Sequence, residues 1–125
     1  MANYDLEKAR EYFAAKMAFT TGPHELNGAN KDDITIVDLR FPSDYRQAHI
    51  PGAVNLPKGK WNRPAGLSRE KLNVLYCYSQ ICHLAAEAAL ELAAQGYRVV
   101  EMEGGFEAWQ RSNFAVESGE VAAAA

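Results

Sequence analysis

Short segments rich in apolar residues mark three places in the chain. Residues 34–39 read ITIVDL, residues 72–77 read LNVLYC and residues 97–102 read YRVVEM. The β-branched run at 34–39, bounded by Asp33 and Pro42, is typical of a strand that is buried on both faces, while 72–77 predicts a short buried strand and 97–102 a further strand. The three runs therefore predict strands of a parallel sheet, and a shorter strand is expected after the turn at Pro51 and Gly52.

Helical spacing of apolar residues separates these strands. Residues 84–95 read LAAEAALELAAQ and are followed by Gly96, a typical helix stop. One face of this helix, with Leu84, Ala88 and Leu92, is expected to cover the sheet. Shorter helices are predicted at 25–30, 42–48 and 106–112.

The beginning of the chain also has a helical pattern. One face of a helix over 4–17 would carry four apolar side chains, namely Leu6, Ala9, Phe13 and Met17. Asn3 is a suitable N-cap for it. This pattern predicts an amphipathic helix that packs on the rest of the molecule.

Strands that alternate with helices in one short chain define an α/β fold with a mainly parallel sheet. At 125 residues the chain is long enough for one domain with a sizeable core and too short for two ordinary ones. The expected organisation is the N-terminal helix at 1–16, a single domain at 17–116 and a small, polar, frayed tail at 117–125.

Composition and charge exclude several functions. The net charge of −3, with acidic and basic residues interspersed, gives no electrostatic footprint for nucleic acid or an anionic membrane. No apolar stretch is long enough to span a bilayer, and the polar N-terminus lacks the apolar core of a secretory signal, so a cytoplasmic location is expected. The three histidines lack metal-ligand spacing with the cysteines, so neither a metal nor a cofactor is expected.

The strongest chemical signal is Cys77, which ends one predicted strand just before a predicted helix. Residues 78–83 must turn the chain there, and their N–H groups, with those of the helix start, can converge on the sulfur. Both effects favour the anion and predict a thiol pKa below the usual value of about 8.5. The alternative is that Cys77 is an inert, buried small residue. Ligands of parallel sheets bind beyond the carboxyl ends of strands, where Asp38 and Arg40 are also expected.

Four motifs together resemble a single-domain rhodanese: VDLR at 37–40, AHIPGAVNLP at 48–57, YC at 76–77 and QGYRVVEMEGGFEAW at 95–109. The resemblance runs from about Met17 to Asn113 and implies a five-stranded parallel sheet wrapped by helices. It places Cys77 as the sulfur-carrying cysteine. It also implies that the amides of a loop hold the persulfide, and that loop comprises Tyr78, Ser79, Gln80, Ile81, Cys82 and His83. Asp38 and Arg40 match a pattern with structural or edge-of-site roles, and His49 matches a residue that stabilises a turn.

The loop differs from the pattern of many single-domain rhodaneses. Gln80 stands where a glycine would allow close backbone approach. The segment from Cys77 to Gly96 looks one or two residues longer than usual, which resembles the larger loops of cell-cycle phosphatases and arsenate reductases. Those enzymes bind an oxyanion with an arginine six residues after the cysteine. Here His83 holds that place, which disfavours the phosphatase interpretation.

The resemblance implies a sulfurtransferase that moves a sulfane sulfur from a small donor, such as thiosulfate or a persulfide, to a thiol or protein acceptor that the sequence does not name. Four cations could attract an anionic donor or form a solvated surface: Arg40, Lys58, Lys60 and Arg63. An alternative is a non-catalytic binding or redox-sensing module of the same fold. Cys82 either attacks a persulfidated or oxidised Cys77 to form a disulfide or fills a small buried niche.

Overall fold

The computed structural model describes residues 3–119 and contains one five-stranded sheet in the order β1-β5-β4-β2-β3. All four strand pairs are parallel. The strands are β1 (Thr20–Thr21), β2 (Ile34–Asp38), β3 (Val54–Asn55), β4 (Leu72–Tyr76) and β5 (Val99–Met102). The helices are α1 (Leu6–Phe19), α2 (Pro23–Gly28), α3 (Pro42–Gln47), α4 (Leu84–Ala94) and α5 (Gly105–Arg111). The predicted five-stranded parallel α/β fold is confirmed.

The register of the central strands fixes where the site lies. β2 and β4 pair along their whole length, from Ile34 opposite Leu72 to Asp38 opposite Tyr76. Because both strands point the same way and end together, Cys77 and the residues after Asp38 leave the sheet at the same carboxyl edge. That edge is where ligands of parallel sheets bind.

Side chains of alternate strand residues form two apolar cores, one on each face of the sheet. One core packs Ile36, Val74 and Tyr76 against Phe106 and Trp109, which anchor α5 to the sheet. The other core lies under α4. It is formed by Val37, Leu39, Leu56, Trp61, Leu75, Cys77, Ala85, Ala88 and Leu92. The side chain of Cys77 therefore faces α4.

The N-terminal helix differs from its prediction. It begins after Asp5, whose carboxylate accepts the N–H of Lys8 at 3.0 Å, so Asp5 rather than Asn3 is the N-cap. No residue of α1 is buried, and Phe13 and Met17 are 55% and 81% exposed. The predicted packing of its apolar face on the domain is therefore wrong. The helix is instead linked to the end of β5 by Lys16, which forms an ion pair of 2.7 Å with Glu103.

The start of the C-terminal tail is also ordered by hydrogen bonds, so the predicted fraying from residue 117 is wrong for 117–119. Glu117 exchanges two backbone hydrogen bonds with His49, at 2.8 and 2.9 Å. The backbone N–H of Gly119 donates to the carbonyl of Arg46 at 2.7 Å. The rest of the predicted tail, 120–125, lies outside the described residues.

Candidate active site

Cys77 lies directly after β4, and the loop of residues 78–83 folds around its sulfur before α4 begins. The residue is only 2% exposed. Its Sγ lies 3.6 Å from the carbonyl oxygen of Cys82 and 4.0 Å from that of Ser79. The backbone groups of Ala85, in the first turn of α4, and of Ser79 also hydrogen-bond the thiol and favour its anion. The predicted arrangement of strand, loop and helix start around the thiol is present.

The protonation of Cys77 is the reverse of the prediction. Burial is the largest cause and the neighbouring Cys82 side chain acts in the same direction, and together they raise the pKa of the thiol to about 12 although the backbone groups of Ala85 and Ser79 oppose the shift. The predicted pKa below about 8.5 is therefore wrong for this closed loop. The reason is that the same loop that brings polar backbone groups to the sulfur also removes water from it.

A pH series should show this shift directly. Because only the thiolate reacts with iodoacetamide and the pKa of Cys77 is raised, its alkylation rate should keep rising with pH through about pH 10, without levelling off near the usual value of about 8.5. Mass spectrometry after cleavage at Tyr78 separates Cys77 from Cys82 and follows each one. A plateau in the Cys77 rate at or below about pH 8.5 would contradict the burial argument.

The start of α5 holds the loop in place through backbone contacts. The N–H groups of Phe106 and Glu107 donate to the carbonyls of Cys77 and Tyr78 at 2.9 and 3.0 Å. At Gly105, whose φ is +62°, a Cβ atom would lie 2.6 Å from the backbone nitrogen of Ser79 and 2.8 Å from the carbonyl oxygen of Cys77. Gly105 is therefore the place where the backbone of α5 touches the backbone of the loop.

Replacing Gly105 by alanine should displace the loop from α5. We expect the free energy of unfolding to fall by at least about 2 kcal/mol, because the left-handed backbone disfavours a Cβ and the new atom meets backbone that cannot rotate away. Chemical denaturation measures the loss. Gly28→Ala is the matched control, since nothing lies within 4 Å of a Cβ there. Equal stability of the two variants would show that the close approach does not restrain the loop.

Apart from Cys82, which acts on the Cys77 thiol, the loop side chains that make hydrogen bonds make them with the surrounding elements. Tyr78 donates its hydroxyl to Asp44 of α3 at 2.5 Å and accepts the N–H of Phe41 at 3.0 Å. Gln80 accepts the N–H of Gly104 at 2.6 Å. Ile81 is 88% exposed, His83 is exposed, and Ser79 and Cys82 are partly buried. The surface presented to the Cys77 sulfur is therefore mostly loop backbone.

Asp38 and Arg40 form a buried ion pair at the same sheet edge. The Arg40 Nη2 atom lies 2.8 Å from Asp38 Oδ2, and it also donates to the carbonyl of Ala48 at 2.5 Å. The hydroxyl of Tyr76 donates to Asp38 at 2.6 Å, and burial followed by the Asp38 charge raises the pKa of this phenol, so it stays a donor. The guanidinium lies 4.0 Å from the ring centroid of Phe106. These contacts indicate that the pair stabilises the edge on which the loop rests.

The remaining cations are spread over the loop before β4. Lys58 lies 3.2 Å from Glu87 in the first turn of α4, whereas Lys60 and Arg63 are exposed. Trp61 is buried in the same apolar core as Cys77, and its indole N–H donates to the carbonyl of Leu56 at 3.0 Å. A cavity of about 390 Å³ lies between this loop and α4 and is lined by Lys58, Gly59, Trp61, Asn62 and Glu91. The loop therefore packs against α4, and the accessory role of Arg63 stays a prediction.

His49 has a structural environment, as its motif predicted. Its ring stacks on that of Tyr45 with the centroids 3.8 Å apart, and its Nδ1 lies 2.8 Å from the Tyr45 carbonyl oxygen. Within residues 3–119, no three histidines, cysteines or acidic residues come together as a metal site, and no helix is long and apolar enough to cross a membrane.

Comparison with known proteins gives the family. The model of the Rhodanese-like domain matches residues 23–112. The chain therefore belongs to the rhodanese-like domain family, which confirms the resemblance of its motifs.

Three relatives illustrate the range of this family. A solved structure of the BH2092 protein from Bacillus halodurans superposes with a TM-score of 0.79 at 32% identity, over 91% of this chain and 87% of that one. A thiosulfate sulfurtransferase of Pseudoalteromonas translucida is 32% identical over 65% of this chain and 77% of its own length. An HTH-type transcriptional regulator of Mycobacterium tuberculosis is 31% identical over 70% of this chain, which spans only 39% of the regulator.

Proposed function

We propose that this protein is a sulfurtransferase in which Cys77 carries the transferred sulfur as a persulfide. The observation that carries the proposal is the position of the Cys77 sulfur, at the carboxyl end of β4 and enclosed by the backbone of the 78–83 loop and the first turn of α4. A cysteine in such a setting can split one difficult transfer into two easier ones.

In the first transfer, the Cys77 thiolate attacks the outer sulfur of thiosulfate. The sulfur–sulfur bond of the donor breaks, and sulfite leaves with the bonding electron pair. A persulfide donor reacts in the same way and leaves as a thiolate. In the second transfer, a thiophilic acceptor attacks the outer sulfur of the Cys77 persulfide, and Cys77 leaves as a thiolate. Backbone N–H groups of the loop and of the start of α4 act as fixed dipoles that stabilise each anion.

The loop encloses the Cys77 sulfur, so we propose that it opens during each catalytic cycle. Because burial raises the pKa of Cys77 to about 12, the resting thiol is protonated near neutral pH, and the attacking thiolate forms when the loop admits water and the donor. The loop tip suits such a movement, since Ile81 is 88% exposed and the exposed Gln80 is held by two side-chain hydrogen bonds, to Glu103 and to Gly104.

Thiosulfate is the proposed small-molecule donor because the Pseudoalteromonas translucida relative is named for it. A thiol or a protein is the proposed acceptor, and the cytoplasm is the proposed location. The proposal is tested by incubating the purified protein with thiosulfate and cyanide and measuring thiocyanate. Turnover many times the amount of protein is expected. A protein that turns over neither thiosulfate nor a low-molecular-weight persulfide would contradict the proposal.

A second candidate is a non-catalytic sensing module. It is supported by the closed loop, which keeps the Cys77 thiol protonated, and by the relative that is a transcriptional regulator. The two candidates differ in turnover: the module would be modified once at Cys77 and release no thiocyanate. A phosphatase or arsenate reductase is disfavoured because residues 78–83 contain no arginine and His83 is exposed. Phosphate esters and arsenate in the same assay would test that activity.

A further inference from the structure

Cys82 is the second sulfur in the active-site loop, and the proposed transfer does not use it. Cys77 and Cys82 are the two cysteines of the chain, and both are free thiols. Cys77 belongs to the apolar core under α4, and the side chain of Cys82 packs against that same core. The two thiols therefore approach a common space at the start of α4.

The loop geometry brings the second cysteine back towards the first. The N–H of Cys82 donates to the carbonyl of Ser79 at 3.2 Å, which closes a tight turn. The Sγ of Cys77 lies 3.6 Å from the Cys82 carbonyl oxygen, so the Cα of Cys82 is no more than about 6 Å from that sulfur. The Cys82 side chain is also close enough to interact directly with the Cys77 thiol. A disulfide needs Cα atoms about 4.4–6.8 Å apart, which rotation of the side chains and a small movement of the turn can provide.

The segment between the two cysteines is able to make this movement. Ser79 to Cys82 form a turn that precedes α4, so no helical hydrogen bond must break. Ile81 projects into solvent and is 88% exposed. By contrast, the backbone of Cys77 is fixed to α5, because the N–H of Phe106 donates to the Cys77 carbonyl. Cys82 is therefore the thiol that moves.

We propose that Cys82 is a resolving thiol that protects Cys77 from irreversible oxidation. This inference rests on the proposed function, because it treats Cys77 as the nucleophile that peroxide reaches. Hydrogen peroxide transfers one oxygen to the Cys77 sulfur, which becomes a sulfenic acid while water leaves. The Cys82 thiolate then attacks the Cys77 sulfur, hydroxide leaves and takes up a proton as water, and an intramolecular disulfide remains.

The disulfide stops sulfur transfer until a reductant restores it. Two thiol equivalents of a cellular reductant reduce the bond, return both cysteines to thiols and become a disulfide themselves. Without Cys82, a second molecule of peroxide would convert the sulfenic acid into a sulfinic acid, which thiols do not reverse. The pair thus makes the active site inactive but recoverable under oxidative stress.

Mass spectrometry of peroxide-treated protein tests this inference. Trypsin leaves both cysteines in one peptide, from Leu72 to Arg98, because no lysine or arginine lies between these limits. After an excess of hydrogen peroxide, the wild-type peptide should lose two hydrogens, and dithiothreitol should restore its mass. Cys82→Ser and Cys82→Ala should instead gain two oxygens at Cys77 and resist dithiothreitol. Two different replacements of Cys82 are used so that a folding defect of one of them cannot explain the result. Circular dichroism checks that both variants are folded.

The outcomes separate this inference from the proposed function. If wild type and both variants accumulate the same sulfinic acid, Cys82 does not act as a resolving thiol. A disulfide between two protein molecules, seen as a dimer on a non-reducing gel, would also overturn the inference. Persulfide formation with thiosulfate is measured on a separate sample. A protein that forms the persulfide but no disulfide would contradict only the resolving role of Cys82. A protein that forms the disulfide but no persulfide would contradict only the proposed sulfur transfer.

Discussion

Replacing Cys77 by serine should reduce thiosulfate-to-cyanide sulfur transfer by more than about 10³-fold, because a serine oxygen cannot carry the sulfane sulfur through a persulfide. The fold should survive, since serine is close in size and the loop is held by backbone hydrogen bonds from α5. Initial rates of thiocyanate formation, with circular dichroism as the check on folding, measure the effect.

Glu107→Ala is the matched control for this experiment. Glu107 lies on the exposed face of α5, where its carboxylate pairs with Arg111, and its side chain is 55% exposed. This variant should keep wild-type activity. Substantial thiocyanate formation by Cys77→Ser would refute the assignment of Cys77 as the sulfur carrier.

Replacing Asp38 by alanine should be among the most destabilising single changes in the molecule. It would leave the guanidinium of Arg40 buried without its carboxylate and would remove the acceptor of the Tyr76 hydroxyl. Breaking a buried ion pair from one side costs about 3–5 kcal/mol, because an uncompensated charge remains inside the protein. Urea denaturation of the variant should show a loss of this size in the free energy of unfolding.

The same Glu107→Ala variant is the control for stability. It also breaks an ion pair, but one exposed to solvent at 3.2 Å, and such a pair contributes less than about 1 kcal/mol. A loss for Asp38→Ala no larger than that for Glu107→Ala would contradict the structural role given to the buried pair.

The parts of the fold that the sequence predicted well are those with a strong local pattern. The segments that form β2 and β4 are mostly apolar, and such strands are typical of a sheet with both faces covered, so their structure was predictable. The helix over α4 had both an apolar face and a glycine stop. By contrast, β1 is only two residues long and has no periodic signal to detect.

The N-terminal helix shows the limit of a periodic pattern. The spacing of Phe13 and Met17 indicates a helix correctly but does not say what the apolar face meets. In the structure Lys16 forms an ion pair with Glu103, whereas Phe13 and Met17 stay exposed. The tail was misjudged for a related reason: the backbone hydrogen bonds of Glu117 depend on His49, which is distant in sequence.

The sequence predicted that Cys77 and the 78–83 loop lie between a strand and a helix, as β4 and α4 show, but it did not predict the pKa of the thiol. The thiol pKa depends on a competition between nearby backbone dipoles and the loss of water, and only the packed structure shows that burial is the larger effect. The contact of Gly105 with the backbone of Ser79 is equally invisible in the sequence, where the glycine doublet indicates no more than a turn. Long-range contacts decide both features.

Mass spectrometry of the intact protein after brief treatment with thiosulfate tests the central claim most directly. The account predicts one added sulfur atom per chain, located on Cys77, removed by dithiothreitol or cyanide and absent from Cys77→Ser. An unchanged mass after thiosulfate and after a low-molecular-weight persulfide, or a sulfur located on Cys82 alone, would contradict it.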